Sequence, residues 1–422
     1  MKRQSEHIPG RMPERSCIMS ERLTLESVFS KDNIDKAIAL VAGNNALPGL
    51  DDLKGSDLPE YWANNGKYVL SDLASGIYRP VPYRVFYAKK PGKTERRRIS
   101  VESALDQMLQ QCMRFEADRF FTPGFHQNSY GFIRGRNTEM ALRRCLKMMN
   151  GGMRYVVDAD IRKCFDSIKH QLVLHSFSQG TSDVRLISLL SKILKTPGQC
   201  GTQILYNRIG VPQGSCLSPL LANIVLNRLD WFLADNKIQF VRYADDLVLF
   251  LPSLSRALRA KIRLEQFLSS VLSLQLNEEK TRIVPAEELE YLGFAFRRVG
   301  GQYHPIVSEK AKAKMHSKLE HHIRGICKAP ADTMNRIGSV NRGWLEYYKN
   351  TYPPDLTSFL EQTETMEIQQ ISLAVNTHKD VRRDLLSAML QGSEFVLPSE
   401  LYEDLIERGR IKIHSPTRPQ GL

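Results

Sequence analysis

Two adjacent carboxylates, Asp245 and Asp246, stand in the middle of an apolar stretch. Val241 and Tyr243 come before them and the run 247–250 follows, so the pattern predicts two strands joined by a tight turn. Like charges held side by side are costly unless a cation neutralises them. Two hard carboxylates with open coordination positions suit Mg²⁺, which keeps phosphate and water as further ligands. The alternative is that the pair only turns the hairpin, because Asp favours turns.

A second group of acids ends the β-branched stretch that runs through residues 154–160. Asp158 and Asp160 close this stretch, and Asp166 follows where a helix is predicted to start. Strand alternation puts Asp158 and Asp160 on one face. One of these acids is enough to complete a metal site with the Asp245–Asp246 pair.

Basic residues cluster in two segments upstream of these acids. The first is a predicted Pro-Gly hairpin that carries Lys89, Lys90, Lys93, Arg96, Arg97 and Arg98. This segment is either a solvated turn or a phosphate clamp, since Arg suits bidentate phosphate contact and Lys supplies a point charge. The second segment is loop 129–137, with Arg134 and Arg136 among two glycines that would let the backbone approach a phosphate strand. A plain surface loop is the alternative for this second segment.

Two later segments also fit a polymeric ligand. Pro-Gln-Gly at 212–214 predicts a loop, and a buried helix is expected after it with Ser218 as its cap and Pro219 in its first position. A second predicted helix, 308–327, has lysines at every fourth residue: Lys310, Lys314 and Lys318. This basic stripe is either a solvated helix face or a surface for a duplex backbone.

The composition favours a polyanionic partner. The chain has 422 residues and a formal net charge of +13, and a surplus of this size favours binding to phosphates with release of counterions. We find no stretch of about 20 apolar residues and no apolar signal core in residues 1–15. The 7 cysteines are scattered singly, which indicates neither a zinc site nor a disulfide framework. We therefore expect a soluble, cytoplasmic protein with no membrane partner.

Taken in order, these segments resemble group II intron-type reverse transcriptases over roughly residues 25–350. Tyr-Ala-Asp-Asp at 243–246 resembles the catalytic hairpin of that family, and the spacing from Asp160 to Phe165 matches its first catalytic block. Gln-Gly-x-x-x-Ser-Pro at 213–219 resembles the block that packs on the template–nucleotide pair. Asn-Arg-Gly-Trp-Leu-Glu-Tyr-Tyr, which begins at Asn341, resembles the thumb region.

The resemblance implies an α+β fold with the right-hand architecture of polymerases. We expect fingers over residues 23–150, a palm of antiparallel sheet and helices over 151–300, and a helical thumb over 301–350. A flexible N-terminal arm, 1–22, would precede them, and a helical extension, 351–422, would follow.

The resemblance also implies roles for individual residues. Asp160, Asp245 and Asp246 would bind two Mg²⁺ ions, or Mn²⁺, with a backbone carbonyl near Ile161. Phe165 would exclude the ribose 2′-OH of the incoming nucleotide. The other implied nucleotide contacts are Lys90, Arg97, Gln213, Gly214 and Lys280. The nucleic-acid contacts that we predict are Arg134, Arg136, Lys310, Lys314, Lys318, Arg342 and Trp344.

The implied activity is RNA-directed DNA synthesis, with an RNA template of structured non-coding type, a DNA or RNA primer and dNTPs. Residues 352–422 carry no His/Cys nuclease pattern, and Ile-Ser-Val-Glu at 99–102 replaces a Pro-Leu-Gly-Ile-Pro run that intron proteins usually carry. These departures favour a free-standing relative with a host role in phage defence or DNA repair. Two alternatives stay open: a template-independent or protein-primed DNA polymerase, and a non-catalytic, maturase-like splicing cofactor that binds RNA.

Overall fold

The computed structural model of the protein describes residues 22–44, 46–89, 96–326 and 328–377, together with Pro398. Helices and mainly antiparallel sheets are mixed along this part of the chain, which confirms the predicted α+β class. Except for Arg22, the predicted N-terminal arm lies outside the described residues. Most of the predicted C-terminal extension also lies outside them.

Helices make up much of the described chain before residue 284. In chain order they are α1 (Leu25–Val28), α2 (Lys31–Ala42), α3 (Leu58–Ser75), α4 (Ala104–Phe121), α5 (Thr138–Asn150), α6 (Cys164–Ser167), α7 (His170–Phe177), α8 (Val184–Lys195), α9 (Ser218–Asp235) and α10 (Leu254–Phe267). A π-helical turn, Leu268–Leu272, continues α10. Helices α11 (Glu309–Ile323), α12 (Pro330–Tyr348) and α13 (Pro353–Thr377) follow later in the chain.

The strands form two four-stranded sheets and one hairpin in the described part of the chain. They are β1 (Tyr83–Lys89), β2 (Arg96–Val101), β3 (Tyr155–Asp160), β4 (Gly198–Cys200), β5 (Gln203–Leu205), β6 (Gln239–Tyr243), β7 (Asp246–Leu251), β8 (Arg282–Pro285), β9 (Phe294–Val299) and β10 (Gln302–Val307). One sheet has the order β2-β1-β4-β5 and the other β6-β7-β3-β8, while β9 pairs with β10. Among the described residues, no helix is both long and apolar enough to span a bilayer.

The sheet β6-β7-β3-β8 carries the predicted acids, and apart from these acids its inner strands, β3 and β7, are apolar. Residues 247–251 of β7 are buried, as are Val156, Val157 and Ala159 of β3. Helix α9 is buried along most of its length and belongs to the same apolar core. An apolar core around inner strands fixes their register, because a slip of one residue would turn every side chain to the opposite face. The acids at the strand ends are thereby held on a rigid base.

The start of α9 differs from the prediction. Ser218 is the first helical residue rather than the cap, and Leu217 occupies the cap position without a side-chain hydrogen bond. The Ser218 hydroxyl instead donates to the carbonyl of Pro212 at 2.6 Å. Its side chain therefore fastens the Pro-Gln-Gly loop to the helix, while Pro219 is the second helical residue rather than the first.

The chain divides into two compact units. Among the described residues, one contains those up to Met148 together with Met153–Ile283, and the other contains Met149–Gly152 with those from Val284 onward. In the second unit, α11 and α12 share an apolar cluster with Phe359 of α13. The side chain of Ser308 caps α11 by accepting from the amide of Ala311 at 3.3 Å. The predicted borders of fingers, palm and thumb stay predictions.

Candidate active site

The three predicted catalytic acids meet at one end of the β3–β7 pair. Asp160, the last residue of β3, is the register partner of Asp246, the first residue of β7. Tyr243 of β6 is the other partner of Asp246, so Ala244 and Asp245 form the turn between β6 and β7. Ala244 has a φ of 59°, a left-handed conformation that is uncommon outside glycine. The predicted hairpin therefore forms, and its turn presents Asp245 beside Asp160 and Asp246.

The electrostatics of this cluster favour a bound cation. Asp246 stands at the exposed end of its strand, yet desolvation and the negative charges of Asp245, Asp160 and Asp158 raise its pKa to about 6. Desolvation also raises the pKa of Asp245, with a further contribution from Asp160. Carboxyl groups whose ionised forms repel one another are stabilised when a metal ion neutralises them.

A segment after the π-helical turn closes one side of the cluster. The amide of Asn277 donates to the carbonyl of Asp160 at 2.8 Å, and the amide of Asp160 donates to the hydroxyl of Thr281 at 3.3 Å. The predicted phosphate contact, Lys280, places Nζ 3.3 Å from Oδ2 of Asp160. Two residues after Lys280, Arg282 places Nε 3.0 Å from Oδ2 of Asp158. Alternate residues of β3 are therefore each paired with a cation.

The oxygen ligands fit a hard divalent cation that the protein does not enclose. Asp160, Asp245 and Asp246 supply carboxylates, and Ile161 follows Asp160 directly, with its backbone bridged to Leu276. In the parts of the chain that the structure describes, no group of three or more His, Cys, Asp or Glu side chains is arranged to hold a metal ion by itself. Mg²⁺ is commonly held by one or two carboxylates, with water and substrate phosphate completing its shell. The open arrangement here matches that requirement.

The Gln213–Gly214 loop is attached to the segment that follows β3. Gln213 Nε2 donates to Oδ1 of Asp166 at 2.8 Å, and the carbonyl of Phe165 accepts from the amide of Val211 at 2.8 Å. Gly214 has a φ of 110°, and a Cβ there would stand 2.8 Å from the carbonyl oxygen of Ser100. The side chain of Phe165 is only partly buried against the core. These contacts place the predicted gate and the predicted nucleotide-positioning loop next to each other.

The predicted basic contacts of the first unit have different outcomes. Lys90 lies outside the described residues, and of Arg97 only the backbone is described, paired with Ala88. Arg134 is exposed and available to a ligand. Arg136 is a correction, because its guanidinium donates to the carbonyls of His126 at 2.5 Å, Ser129 at 2.6 Å and Phe125 at 3.1 Å. With its donors turned inward, Arg136 stabilises its own loop rather than binding phosphate.

The predicted contacts of the second unit also divide into surface and core residues. Lys314 and Lys318 are exposed on α11, as is Lys310, which pairs with Glu290. Arg342 is half-buried on α12. Trp344 is a correction, because its ring packs against Tyr348 at 4.5 Å and Phe359 at 4.9 Å between centroids. The indole is partly buried against the apolar cluster of this unit, and this packing accounts for its position without a nucleic-acid contact.

Two residues beside the catalytic turn were missed in the sequence. Arg242 is fully buried in β6, and the sequence signal was a charge placed inside an apolar strand directly before the acid pair. Gly131 was noted as allowing close approach to phosphate, but a Cβ there would stand 2.3 Å from the amide nitrogen of Ala244. Its backbone therefore approaches the catalytic turn instead.

Comparison with known proteins gives the following matches. Residues 88–296 match the family described as "Reverse transcriptase (RNA-dependent DNA polymerase)". The group II intron-encoded protein LtrA of Lactococcus lactis subsp. cremoris is 32% identical over 182 residues, which cover 43% of this chain and 30% of LtrA. Protein YkfC of Escherichia coli K12 is 30% identical over 288 residues, which cover 58% of this chain and 74% of YkfC. The solved telomerase of Candida albicans aligns with a TM-score of 0.44 at 13% identity, over 85% of this chain and 71% of that one.

Proposed function

Because this chain belongs to the reverse transcriptase family, in its group II intron-like branch, we propose that it synthesises DNA on an RNA template. The chain spans only 30% of the length of LtrA, so the activity is argued from its own residues. The observation that carries the proposal is the register pairing of Asp160 with Asp246 beside Asp245. Binding of RNA alone would need no converging carboxylates.

The metal-binding part of the proposal uses the three acids at the strand ends. Reverse transcriptases use divalent metal ions, and we propose two Mg²⁺ ions held by Asp160, Asp245 and Asp246, with the backbone carbonyl of Ile161 as a further ligand. Once bound, such ions would lower the pKa of the primer 3′-OH and stabilise the leaving pyrophosphate. The left-handed φ of Ala244 closes the hairpin and so places the backbone of Asp245 beside the other two acids.

The surrounding residues would bind and orient the substrates. Lys280 is 64% exposed while it pairs with Asp160, so its ammonium group can also contact the phosphates of a nucleotide. Lys90 and Arg97 would neutralise the triphosphate from the fingers, which would be electrostatic stabilisation of the transferred phosphate. Gln213, held by Asp166, and Gly214 would position the template and the incoming base. Phe165 would lie against the sugar of that nucleotide and exclude a ribose 2′-OH.

The proposal is tested with an RNA template, an annealed DNA primer, dNTPs and Mg²⁺. Wild-type protein should extend the primer, and Asp245→Ala should lower the rate by on the order of 10³-fold or more. RNA affinity should change little, because phosphate contacts dominate it. Asp235→Asn, an exposed acid at the end of α9, is the matched control and should retain full activity. Substantial synthesis by Asp245→Ala would refute the assignment.

The same assay separates the alternative functions. A template-independent polymerase would extend the primer when the RNA is omitted, and a splicing cofactor would bind RNA with no synthesis in any variant. Sequencing of the nucleic acid that co-purifies with wild type and with Asp245→Ala would then identify the template. A host role in phage defence or DNA repair stays a prediction at this point.

A further inference from the structure

The strand that leads into the catalytic turn contains a charged side chain with no access to solvent. Arg242 and Asp230 both have 0% of their side-chain surface exposed. Their contact is bidentate, with Nε donating to Oδ1 at 2.7 Å and Nη2 donating to Oδ2 at 2.6 Å. Removing two charges from water is expensive even when they pair well, and apolar residues of similar size are often at least as stabilising. The presence of this pair therefore calls for a reason other than stability.

The remaining nitrogen of the same guanidinium contacts the turn itself. Nη1 donates to the carbonyl of Ala244 at 2.8 Å and to Oδ1 of Asn223 at 2.8 Å. Ala244 is the residue with the left-handed φ of 59°, and Asp245 follows it directly. Asp230 and Asn223 both belong to α9, so the guanidinium connects this buried helix to the carbonyl that precedes the catalytic acid.

A second set of contacts holds the turn from its other side. The amide of Arg242 donates to the carbonyl of Asn128 at 2.9 Å, and its carbonyl accepts from the amide of Tyr130 at 2.9 Å. The next residue, Gly131, is the one whose backbone lies against the amide nitrogen of Ala244, and its carbonyl accepts from Nδ2 of Asn223 at 2.8 Å. Asn223 therefore bonds both the guanidinium and the loop that covers the turn.

From this geometry we propose that Arg242 is a positioning residue for catalysis, and that Asp230 and Asn223 hold it in place. The guanidinium fixes the carbonyl of Ala244, which keeps the strained turn in the conformation that presents Asp245 beside Asp160 and Asp246. Pre-organised geometry of this kind matters because a displacement of about 1 Å in a catalytic group can lower the rate by about 10²-fold. The inference rests on the proposed polymerase function, which defines the reaction that is being positioned.

The most informative variant is Arg242→Lys. An ammonium group can still pair with Asp230, but it lacks the planar fork that reaches Asp230, Asn223 and the Ala244 carbonyl together. We expect kcat for primer extension to fall by about 10- to 100-fold, while the KM for dNTPs and the RNA affinity stay within about twofold. The matched control is Arg185→Lys, which changes a bidentate Arg–Asp pair with Asp183 on α8, away from the turn. The control should keep kcat.

A readout that is independent of synthesis separates this inference from the proposed function. In Arg242→Lys, hydrogen–deuterium exchange should be faster in the peptide that spans 241–247 and unchanged in the peptides of α8. In the Arg185→Lys control, exchange in the peptide 241–247 should be unchanged. If wild type synthesised no DNA, the proposed function would fail, but the exchange experiment would still test whether Arg242 holds the turn. If Arg242→Lys kept wild-type kcat and wild-type exchange in the turn, the positioning role would be wrong and the proposed function would stand.

A purely structural role for Arg242 predicts a different pattern. In that case the loss of kcat in both lysine variants would follow the loss of melting temperature, and exchange would rise across the whole unit. Should Arg242→Lys fail to fold, Asn223→Ala leaves the charge pair intact and removes one acceptor of Nη1 together with the contact to Gly131. It should lower kcat by about 3- to 10-fold with faster exchange at the turn, and unchanged kcat would overturn the proposal.

Discussion

The ammonium nitrogen of Lys280 lies 3.3 Å from Oδ2 of Asp160, although the two residues come from separate segments of the first unit. The pair is partly open to solvent, with 64% of the lysine side chain and 32% of the aspartate side chain exposed. An ion pair of this exposure is weak, so the lysine can exchange a carboxylate for a phosphate at little cost. Lys280 therefore supplies positive charge to the acid cluster, and under the proposed function it would also do so to the phosphates of a nucleotide bound there.

We predict that Lys280→Met has opposite effects on the two ligands of the site. Loss of the ammonium group makes the acid cluster more negative, so the Mg²⁺ concentration at half-maximal rate should fall by a few-fold. The KM for dNTPs should rise by about tenfold, because a cation that contacts phosphate is lost. Steady-state primer extension with Mg²⁺ and dNTPs titrated independently measures both effects.

The control for this prediction is Lys261→Met. Lys261 is ion-paired with Glu265 on the surface of α10 and has a similar side chain without access to the acids. This variant should leave both titrations unchanged. If Lys280→Met raised both the Mg²⁺ concentration at half-maximal rate and the KM for dNTPs, the shared role that the geometry gives this residue would be contradicted.

Phe165 offers a test of sugar discrimination. Its ring packs only partly against the core, and its backbone carbonyl anchors Val211 next to the Gln213 loop. If the ring excludes the ribose 2′-OH, Phe165→Val should raise the efficiency of rNTP incorporation relative to dNTP by about 10- to 100-fold, the range for one steric contact. The ratio of kcat/KM values from primer extension measures this directly, since changes in stability cancel in it.

A matched aromatic residue controls for general loosening of the unit. Phe232 on α9 is also partly buried and stacks on Phe267 at 4.1 Å between centroids. Phe232→Val should therefore lower stability without changing the sugar ratio. Equal ratios in Phe165→Val and wild type would show that Phe165 is only a packing residue.

The catalytic hairpin could be predicted because its signals are local. Alternation along β3 places Asp158 and Asp160 on one face, and the two basic partners, Arg282 and Lys280, are indeed found with those two residues. The apolar run on either side of Asp245 gives the two strands and the turn. In each case the pattern that matters lies within a few residues of the acids.

The roles of the residues that were missed or misassigned depend on contacts that the local sequence pattern does not show. The apolar strand around Arg242 hints at its burial, but its role depends on Asp230 and Asn223 of α9, which the local pattern does not show. Arg136 lies in a loop whose composition is typical of phosphate binding, but its guanidinium donates to the backbone carbonyls of His126 and Ser129. Trp344 has the family motif, yet its partner Phe359 belongs to another helix. Composition sets what a side chain can bind, while its neighbours decide what it does bind.

The second unit contains a buried acid with an incomplete set of partners. Glu367 of α13 is 0% exposed, and it accepts from Nδ2 of Asn341 at 3.3 Å. Neither Oε1 of Glu367 nor Oδ1 of Asn341 has a hydrogen-bond partner among the described residues. A carboxylate cannot satisfy the amide oxygen, whereas a protonated carboxyl group has an O–H that can donate to it. Burial accordingly raises the pKa of Glu367 to about 7.

This raised pKa predicts how the stability of the protein depends on pH. The folded state holds the proton more tightly than the unfolded chain, whose Glu pKa is about 4.3. The stabilisation is therefore complete below that value and is lost as pH rises through about 7. Glu367→Gln stays neutral at every pH. Its unfolding free energy relative to that of wild type should therefore increase by about 2 kcal/mol between about pH 5 and pH 8, and its relative melting temperature should rise with it. Calorimetry at each pH measures this, with exposed Glu361→Gln as the control. A constant difference across that range would show that Glu367 is ionised in the folded protein.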